Sequence, residues 1–487
     1  MLKRRTHFLM PGLAGLMLFA SFKYGYWALT IFSIAIFYRR LIDNPIKTRL
    51  KATFAFSATF FIAHLWWVSV LGFDALMLLS ALCVASFILL ASVPVTSGRF
   101  ASKLEFASVW ALIELIRAHY PWGGFGWGLL GYSQTSGPLA QYARIGNFAL
   151  VAFVVVLSAT LISDLRPLRN FRQHFLALTL IVIGFWFPTS TQVGELKVGV
   201  VQGGVVSAAV PDFARASEVL AHHLAQTLQH KDELRYSDVV LWPENSVNMQ
   251  SDPTGIIEQI QAVVNLIGKP FLIGAVRNGA DGHPENVVTL WLPKSGPQTS
   301  YIKNHLVPFG EYIPLRSLLA SHFGRLNQIP SDFVQGKGTG VIEVAGAKVG
   351  VAICFEVSDQ SHLTNLVNDG AQIFFAASNN ATYLGTSQPS QQFQISRFSA
   401  ITHQRTMVVA TTSGVSGLIS ANGDVSDQIV DAGGKVFVAR VGLFSGQTFT
   451  DKHPLVQYLF VGALLVYSGI RRIRAKAAKS DEDRATH

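Results

Sequence analysis

Apolar runs dominate the first 190 residues, at about 8–22, 25–38, 53–72, 75–96, 105–118, 147–163 and 174–188, and one more stands at 455–470. A helix that crosses the hydrocarbon core needs about 20 mostly apolar residues. The third and fourth runs meet that length, while the first two are short and predict a tight hairpin. The run at 105–118 contains Glu114 and Arg117, so it predicts either a helix facing the inside of a bundle or an interfacial one. Beyond residue 190 the pattern changes. Short β-type runs occur at 196–202, 239–242, 271–275, 287–292, 341–344, 349–353, 372–376 and 407–410, with helical periodicity at about 212–231, 254–267, 358–368 and 390–404. Strands with helices between them predict a layered α/β domain whose sheets are covered by helices. The expected organisation is a multi-pass α-helical membrane bundle of about seven spans over 1–190, a layered domain over 195–446, an eighth span over 453–472, and a cytoplasmic tail over 475–487. That tail is small and charged, and is expected to be disordered.

Composition agrees with a membrane protein: half of the residues are hydrophobic and only 14% are charged. The net charge of +10 is unevenly placed. Residues 195–446 hold 16 basic and 20 acidic side chains, against 23 basic and 9 acidic in the remainder. The excess therefore belongs to the loops of the bundle, and no nucleic-acid surface is read from it. Lys3, Arg4 and Arg5, the 39–51 loop, Arg99 and Lys103, Arg166, Arg169 and Arg172, and the basic tail after 470 all fall on one side of an eight-span layout. The positive-inside tendency then puts both termini in the cytoplasm and the layered domain outside it. The first run follows a basic start with no small-residue cleavage site, and is read as an anchor. The two cysteines, Cys83 in an apolar run and Cys354, suggest no disulfide framework.

Candidate chemistry sits in three segments of the layered domain. Leu241-Trp242-Pro243-Glu244-Asn245-Ser246 ends one strand, and Cys354-Phe355-Glu356 ends another. Between them lies Lys303-Asn304-His305-Leu306-Val307-Pro308-Phe309-Gly310-Glu311. A free thiol is only a few per cent thiolate at neutral pH and needs a base. A half-buried glutamate can serve as that base. A lysine and backbone N–H groups can hold the negative charge that forms when an acyl carbonyl is attacked. Each residue alone has a plainer reading: Cys354 as core packing, Glu244 as a loop cap, Lys303 and Glu311 as a surface ion pair. The three segments together favour thiol acyl transfer.

These segments, with Tyr312-Ile313-Pro314 closing the second, resemble the catalytic segments of the nitrilase superfamily, and more narrowly those of the apolipoprotein N-acyltransferases. The resemblance extends over nearly the whole chain, through Pro121-Trp122 to Gln134 and Val200-Val201-Gln202-Gly203. It implies an extracytoplasmic α-β-β-α sandwich on a membrane bundle, in a bacterial inner membrane. It implies a Glu244–Lys303–Cys354 triad, with Glu311 assisting, Glu356 behind the nucleophile, and the Phe355 N–H beside the oxyanion. It further implies a phospholipid acyl donor, a thioester intermediate, and the N-terminal diacylglyceryl cysteine of an apolipoprotein as acceptor. No metal-ligand spacing and no phosphate-cradling glycine loop stand in the sequence, so no metal or cofactor is expected. Three departures stand out. Phe355 replaces a common Tyr, no Trp occurs in 204–214, and Ser378-Asn379-Asn380-Ala381-Thr382-Tyr383 differs from an Asn-Asp-Ala-Trp pattern. Trp122, Phe125, Trp127 and Tyr132 are candidates for an interfacial rim. Two other functions use the same scaffold: a membrane-anchored amidase with water as acceptor, and a catalytically silent assembly protein.

Overall fold

The computed structural model describes residues 2–163, 171–204, 212–319 and 331–485. It divides into two compact units, Met1–Pro188 with His453–His487, and Thr189–Lys452. The first unit opens with α1 (Leu2–Tyr24), α2 (Trp27–Arg39), α3 (Ile46–His64), α4 (Phe73–Phe87), α5 (Leu89–Ser92), α6 (Phe100–His119), α7 (Ala143–Ile162) and α8 (Phe171–Ile183). Among the described residues two helical stretches, Phe73–Ser92 and Pro138–Ile162, are long and apolar enough to cross a membrane. Phe8–Tyr24, Trp27–Arg39, Phe171–Trp186 and Val456–Arg471 are apolar but shorter. The run expected at 53–72 is divided, because α3 stops at His64 and a 3-10 turn occupies Trp66–Val70. Aromatic side chains fill the interior of this unit. Phe37 stacks on Phe56 with centroids 4.1 Å apart, and Trp110 meets Phe87 edge-on at 5.0 Å.

The two readings of the 105–118 run resolve in favour of the interior. Glu114 is fully buried and accepts from Trp110 Nε1 and Leu130 N at 3.0 Å each. Arg117 is buried with its guanidinium 4.8 Å from the Phe61 ring centroid. Cys83 is buried filler. Trp127 and Tyr132 are buried as well, which removes them from the expected rim, while Trp122 is exposed. Arg166 and Arg169 lie outside the described residues, as does most of the loop at 204–214.

The second unit contains two six-stranded sheets. The strands of the first are β1 (Thr191–Gln202), β2 (Val239–Asn248), β3 (Phe271–Asn278), β4 (Pro284–Leu292) and β5 (Gly296–Ile302). The second holds β6 (Val341–Val344), β7 (Ala347–Ile353), β8 (Ile373–Ser378), β9 (Met407–Thr411), β10 (Gly414–Ile419) and β11 (Val425–Asp431), and β12 (Lys435–Ser445) returns to the first. Their orders are β12-β1-β2-β3-β4-β5 and β11-β10-β9-β8-β7-β6. At the heart of each sheet three strands run parallel, β1-β2-β3 and β7-β8-β9. All flanking pairs are antiparallel.

Alternate residues of the parallel strands face each other across the sheets. Val198, Val200 and Leu241 pack with Val349, Val351, Ile353 and Phe375 in one continuous core. On the opposite face of the first sheet, Trp242 and Ile273 pack on Leu220 of α9 (Asp212–Gln229) and on Ile260 and Val264 of α11 (Pro253–Ile267). Helices α13 (Gln360–Asn368) and α14 (Gln388–His403) follow β7 and β8. The helix stretches read from periodicity all form. Strands β5, β10, β11 and β12 were not anticipated. The chain closes with α15 (Phe449–Lys452) and α16 (Val456–Ala485). That last helix runs through most of the tail expected to be disordered. Its Ala-, Lys- and Arg-rich sequence has high intrinsic helix propensity.

Candidate active site

Glu244 sits where β2 leaves the ladder. Pairing with β3 stops at Trp242 and resumes at Val247, because Pro243 has no N–H to donate and Asn245 takes a φ of 55°. The bulge rests on the backbone of Gly274, where a Cβ would stand 2.2 Å from Pro243 O and 2.7 Å from Glu244 Cα. The main chain is thereby aimed so that Glu244 turns inward and is buried. Its Oε1 accepts from Asn286 Nδ2 at 2.8 Å, and its Oε2 accepts from Asn379 N, just past β8, at 2.8 Å.

Lys303 follows β5, its N–H bonded to Asn286 O at 2.9 Å. Its side chain is 1% exposed, with Nζ 2.9 Å from Glu311 and 3.5 Å from Glu244 Oε1. Asn286 joins the two acids, donating to Glu311 Oε1 at 2.9 Å as well as to Glu244. Glu311 also accepts from Val307 N at 2.8 Å, which closes the loop that carries it. Two carboxylates thus share one buried ammonium. Burial alone would push the ammonium down, but Glu311 and then Glu244 outweigh it and hold Lys303 above its ordinary value. Burial pushes the Glu244 carboxyl up; Lys303 pulls against this and Glu311 adds to it. A carboxylate with a raised pKa is a better proton acceptor than an ordinary one.

Cys354 ends β7 with a φ of 55°, in the left-handed region that a residue with a Cβ occupies at some cost. It begins a 3-10 turn, Cys354–Ser358, and is partly exposed. Burial and then the Glu244 charge push its thiol up, against the pull of Lys303, so the sulfur lies within the field of all three charged neighbours. The turn is fastened by Glu356, which is wholly buried. Glu356 Oε1 accepts from Tyr301 Oη at 2.7 Å, Asn304 N at 2.8 Å and His305 N at 3.0 Å, and Oε2 accepts from Ile353 N at 2.8 Å. One carboxylate thus ties the lysine segment to the residue before the cysteine. Phe355, the residue after the cysteine, is half-buried.

The structure gathers Glu244, Lys303, Glu311, Cys354 and Glu356 into one cluster and adds residues that sequence reasoning missed. Asn286 comes just before the apolar run at 287–292 and carries no signal of its own. Gln392 of α14 stands 3.8 Å from the sulfur. Tyr383 belongs to the 378–383 stretch noted above; burial, Cys354 and Glu244 together raise its hydroxyl to about 12. His305, Glu356 and His362 bring ligand atoms within 4.8 Å of one another. Both Glu356 oxygens already accept hydrogen bonds, and His362 Nε2 lies 3.0 Å from Val351 O. His305 Nε2 pairs with Asp359 Oδ2 at 2.9 Å, while its Nδ1 is buried without a hydrogen-bond partner.

Two facing sheets thus carry an acid, an ammonium and a thiol at their strand ends. Residues 197–444 match the family model for carbon-nitrogen hydrolases, and residues 14–161 match that for the apolipoprotein N-acyltransferase N-terminal domain. An apolipoprotein N-acyltransferase of Mycolicibacterium smegmatis is 32% identical over 330 residues, 60% of this chain and 55% of that relative. Those of Pseudomonas paraeruginosa and Pseudomonas syringae are 29% and 28% identical over 83% and 85% of this chain. They are matched over 84% and 86% of their own lengths. The chain therefore belongs to the apolipoprotein N-acyltransferase branch of the carbon-nitrogen hydrolase family.

Proposed function

We propose that this protein N-acylates the N-terminal diacylglyceryl cysteine of apolipoproteins, taking the acyl chain from a phospholipid through a thioester on Cys354. Glu244 receives the thiol proton, and the sulfur attacks the acyl ester carbonyl. Lys303 and the Phe355 backbone N–H bear the oxyanion, and a lysophospholipid leaves with the proton returned by Glu244. The free α-amine of the acceptor, with an ordinary pKa near 7.7–8.0, then attacks the thioester and restores the thiol. Glu311 keeps Lys303 charged and in place, and Glu356 holds the nucleophile's turn. The observation that carries this reading is the pair of carboxylates on one buried ammonium beside a strained cysteine. The family membership supports the acyl chemistry.

The same reading includes the membrane layout. Eight spans, with domains at 1–190, 195–446, 453–472 and 475–487, put both termini in the cytoplasm and the catalytic domain outside a bacterial inner membrane. The basic loops support that orientation. Membrane helices in the same chain would hold the enzyme at the bilayer from which both lipid substrates come.

The test combines full-length protein in detergent with phospholipid vesicles and a synthetic diacylglyceryl-cysteine peptide, followed by mass spectrometry. The expected product is N-acylated peptide with an equal amount of lysophospholipid. Release of free fatty acid with the peptide unmodified would replace acyl transfer by hydrolysis.

A further inference from the structure

The mechanism leaves one contact with the reacting atom unused, the side chain of Gln392. It is 4% exposed, and its Nε2 lies 3.8 Å from Cys354 Sγ. We propose that Gln392 is a further catalytic residue, its carboxamide N–H holding the sulfur and stabilising the thiolate; this rests on Cys354 being the nucleophile.

Three observations fix the amide. Its Oε1 accepts from Gln388 Nε2, one turn earlier in α14, at 3.0 Å. Its Nε2 donates one hydrogen to Ser378 Oγ at 3.0 Å, at the end of β8. The second hydrogen is thereby directed at the sulfur. The helix is in turn tied to the nucleophile's own turn, since Ser399 Oγ donates to Val357 O at 2.8 Å and accepts from Gln360 Nε2 at 2.9 Å. A distance of 3.8 Å is long for N–H···S contact, and contacts of this kind tighten once the acceptor carries charge.

The need for such a donor follows from the charges. Glu244 and Glu311 oppose a negative sulfur, and the single ammonium nearby is already shared between them. A neutral donor aimed at the sulfur from the α14 side adds stabilisation without adding charge. Gln392 also responds only to the sulfur's charge, since its other bonds are to neutral groups.

The experiment uses full-length protein in detergent and measures the rate of Cys354 alkylation by iodoacetamide against pH, by peptide mass spectrometry. Buried Cys83 serves as the internal reference. In Gln392→Leu the midpoint of the profile is expected to rise by about one pH unit, an alkylation rate about tenfold lower at any pH below it. In Gln392→Glu, which replaces the donor by an acceptor of the same shape, the midpoint rises further. A Leu profile that superimposes on wild type overturns the proposal. So does a Glu variant with the wild-type profile, because the amide oxygen would then face the sulfur. If the Leu variant lacks a thermal unfolding transition, the Glu variant decides alone by the same criterion. Wild-type Cys354 that alkylates no faster than Cys83 at any pH would instead remove the nucleophile, and both readings with it.

Discussion

Glu356→Gln is the substitution whose effect the structure specifies most fully. The carboxylate is fully buried and accepts four hydrogen bonds, three at Oε1 and one at Oε2. The amide keeps most of them by putting its oxygen at the Oε1 position, which turns its NH2 against the Ile353 N–H. One charge-assisted bond is lost outright, leaving a buried donor unsatisfied at a cost of about 1–3 kcal/mol. The other three become bonds to a neutral acceptor, roughly halved in strength. A neutral amide costs less to bury than a carboxylate, which offsets part of this. A net loss of about 2–4 kcal/mol follows, or a melting temperature lower by roughly 10 °C for a unit of this size. The damage should be local first, because Ile353 precedes the nucleophile and Asn304 and His305 follow the lysine. Hydrogen exchange with mass spectrometry on full-length protein should show faster exchange in peptides covering 303–305 and 353–358, and Cys354 acylation should fall with it. Glu343→Gln, on the exposed face of β6, serves as the control and should change nothing. A Glu356→Gln protein with wild-type exchange and melting would refute the idea that this carboxylate holds the two segments together.

In Glu311→Gln the charge that raises Glu244 is gone, so the Glu244 pKa falls. A base with a lower pKa is deprotonated at lower pH, and the acid limb of the activity profile should move down. The rate should drop about tenfold to a hundredfold, since Lys303 loses its nearest charged partner; a limb moving to higher pH would contradict the assignment. Gly274→Ala drives a methyl group into the Pro243 carbonyl and Glu244 Cα. It should destabilise by about 1–3 kcal/mol and cut activity more than an Ala substitution at exposed Gly338, where the nearest atom to the new methyl lies 4.0 Å away. Equal effects at the two glycines would show that the contact with the Glu244 bulge is not what matters.

How far the sequence revealed this arrangement depended on how each segment is buried. Residues 239–242 and 349–353 lie in parallel strands covered on both faces, and such strands read as unbroken apolar runs. β5 and β11 escaped because they are edge strands: Pro297, Gln298 and Thr299 face outward, and β11 carries Ser426, Asp427 and Gln428. β10 is wholly buried, yet Gly414 and Gly417 interrupt its pattern. Spans were hard to delimit for a related reason. α3 extends back over Lys47, Arg49 and Lys51, and its apolar run is broken at Leu65, so apolar length and helix length differ there. Glu244, Lys303 and Cys354 were legible as candidates because each stands where strand pairing breaks or ends, within a distinctive segment. Asn286 and Gln392 were not, because an amide inside a strand or helix shows no role until its partners are known. Gln392 lies in a polar stretch, Ser387 to Gln394, that reads as a solvated helix face; folding turns it onto the sulfur.

The central claim is that Cys354 carries the acyl group between two lipids. Intact-mass measurement of full-length protein incubated with a phospholipid of defined acyl chains, with the acceptor peptide withheld, tests it most directly. The account predicts an added mass of one acyl chain, mapped to Cys354, absent from Cys354→Ala and discharged when the peptide is added. Wild-type protein that N-acylates the peptide with no such adduct, or an adduct that persists after the peptide is added, would contradict it.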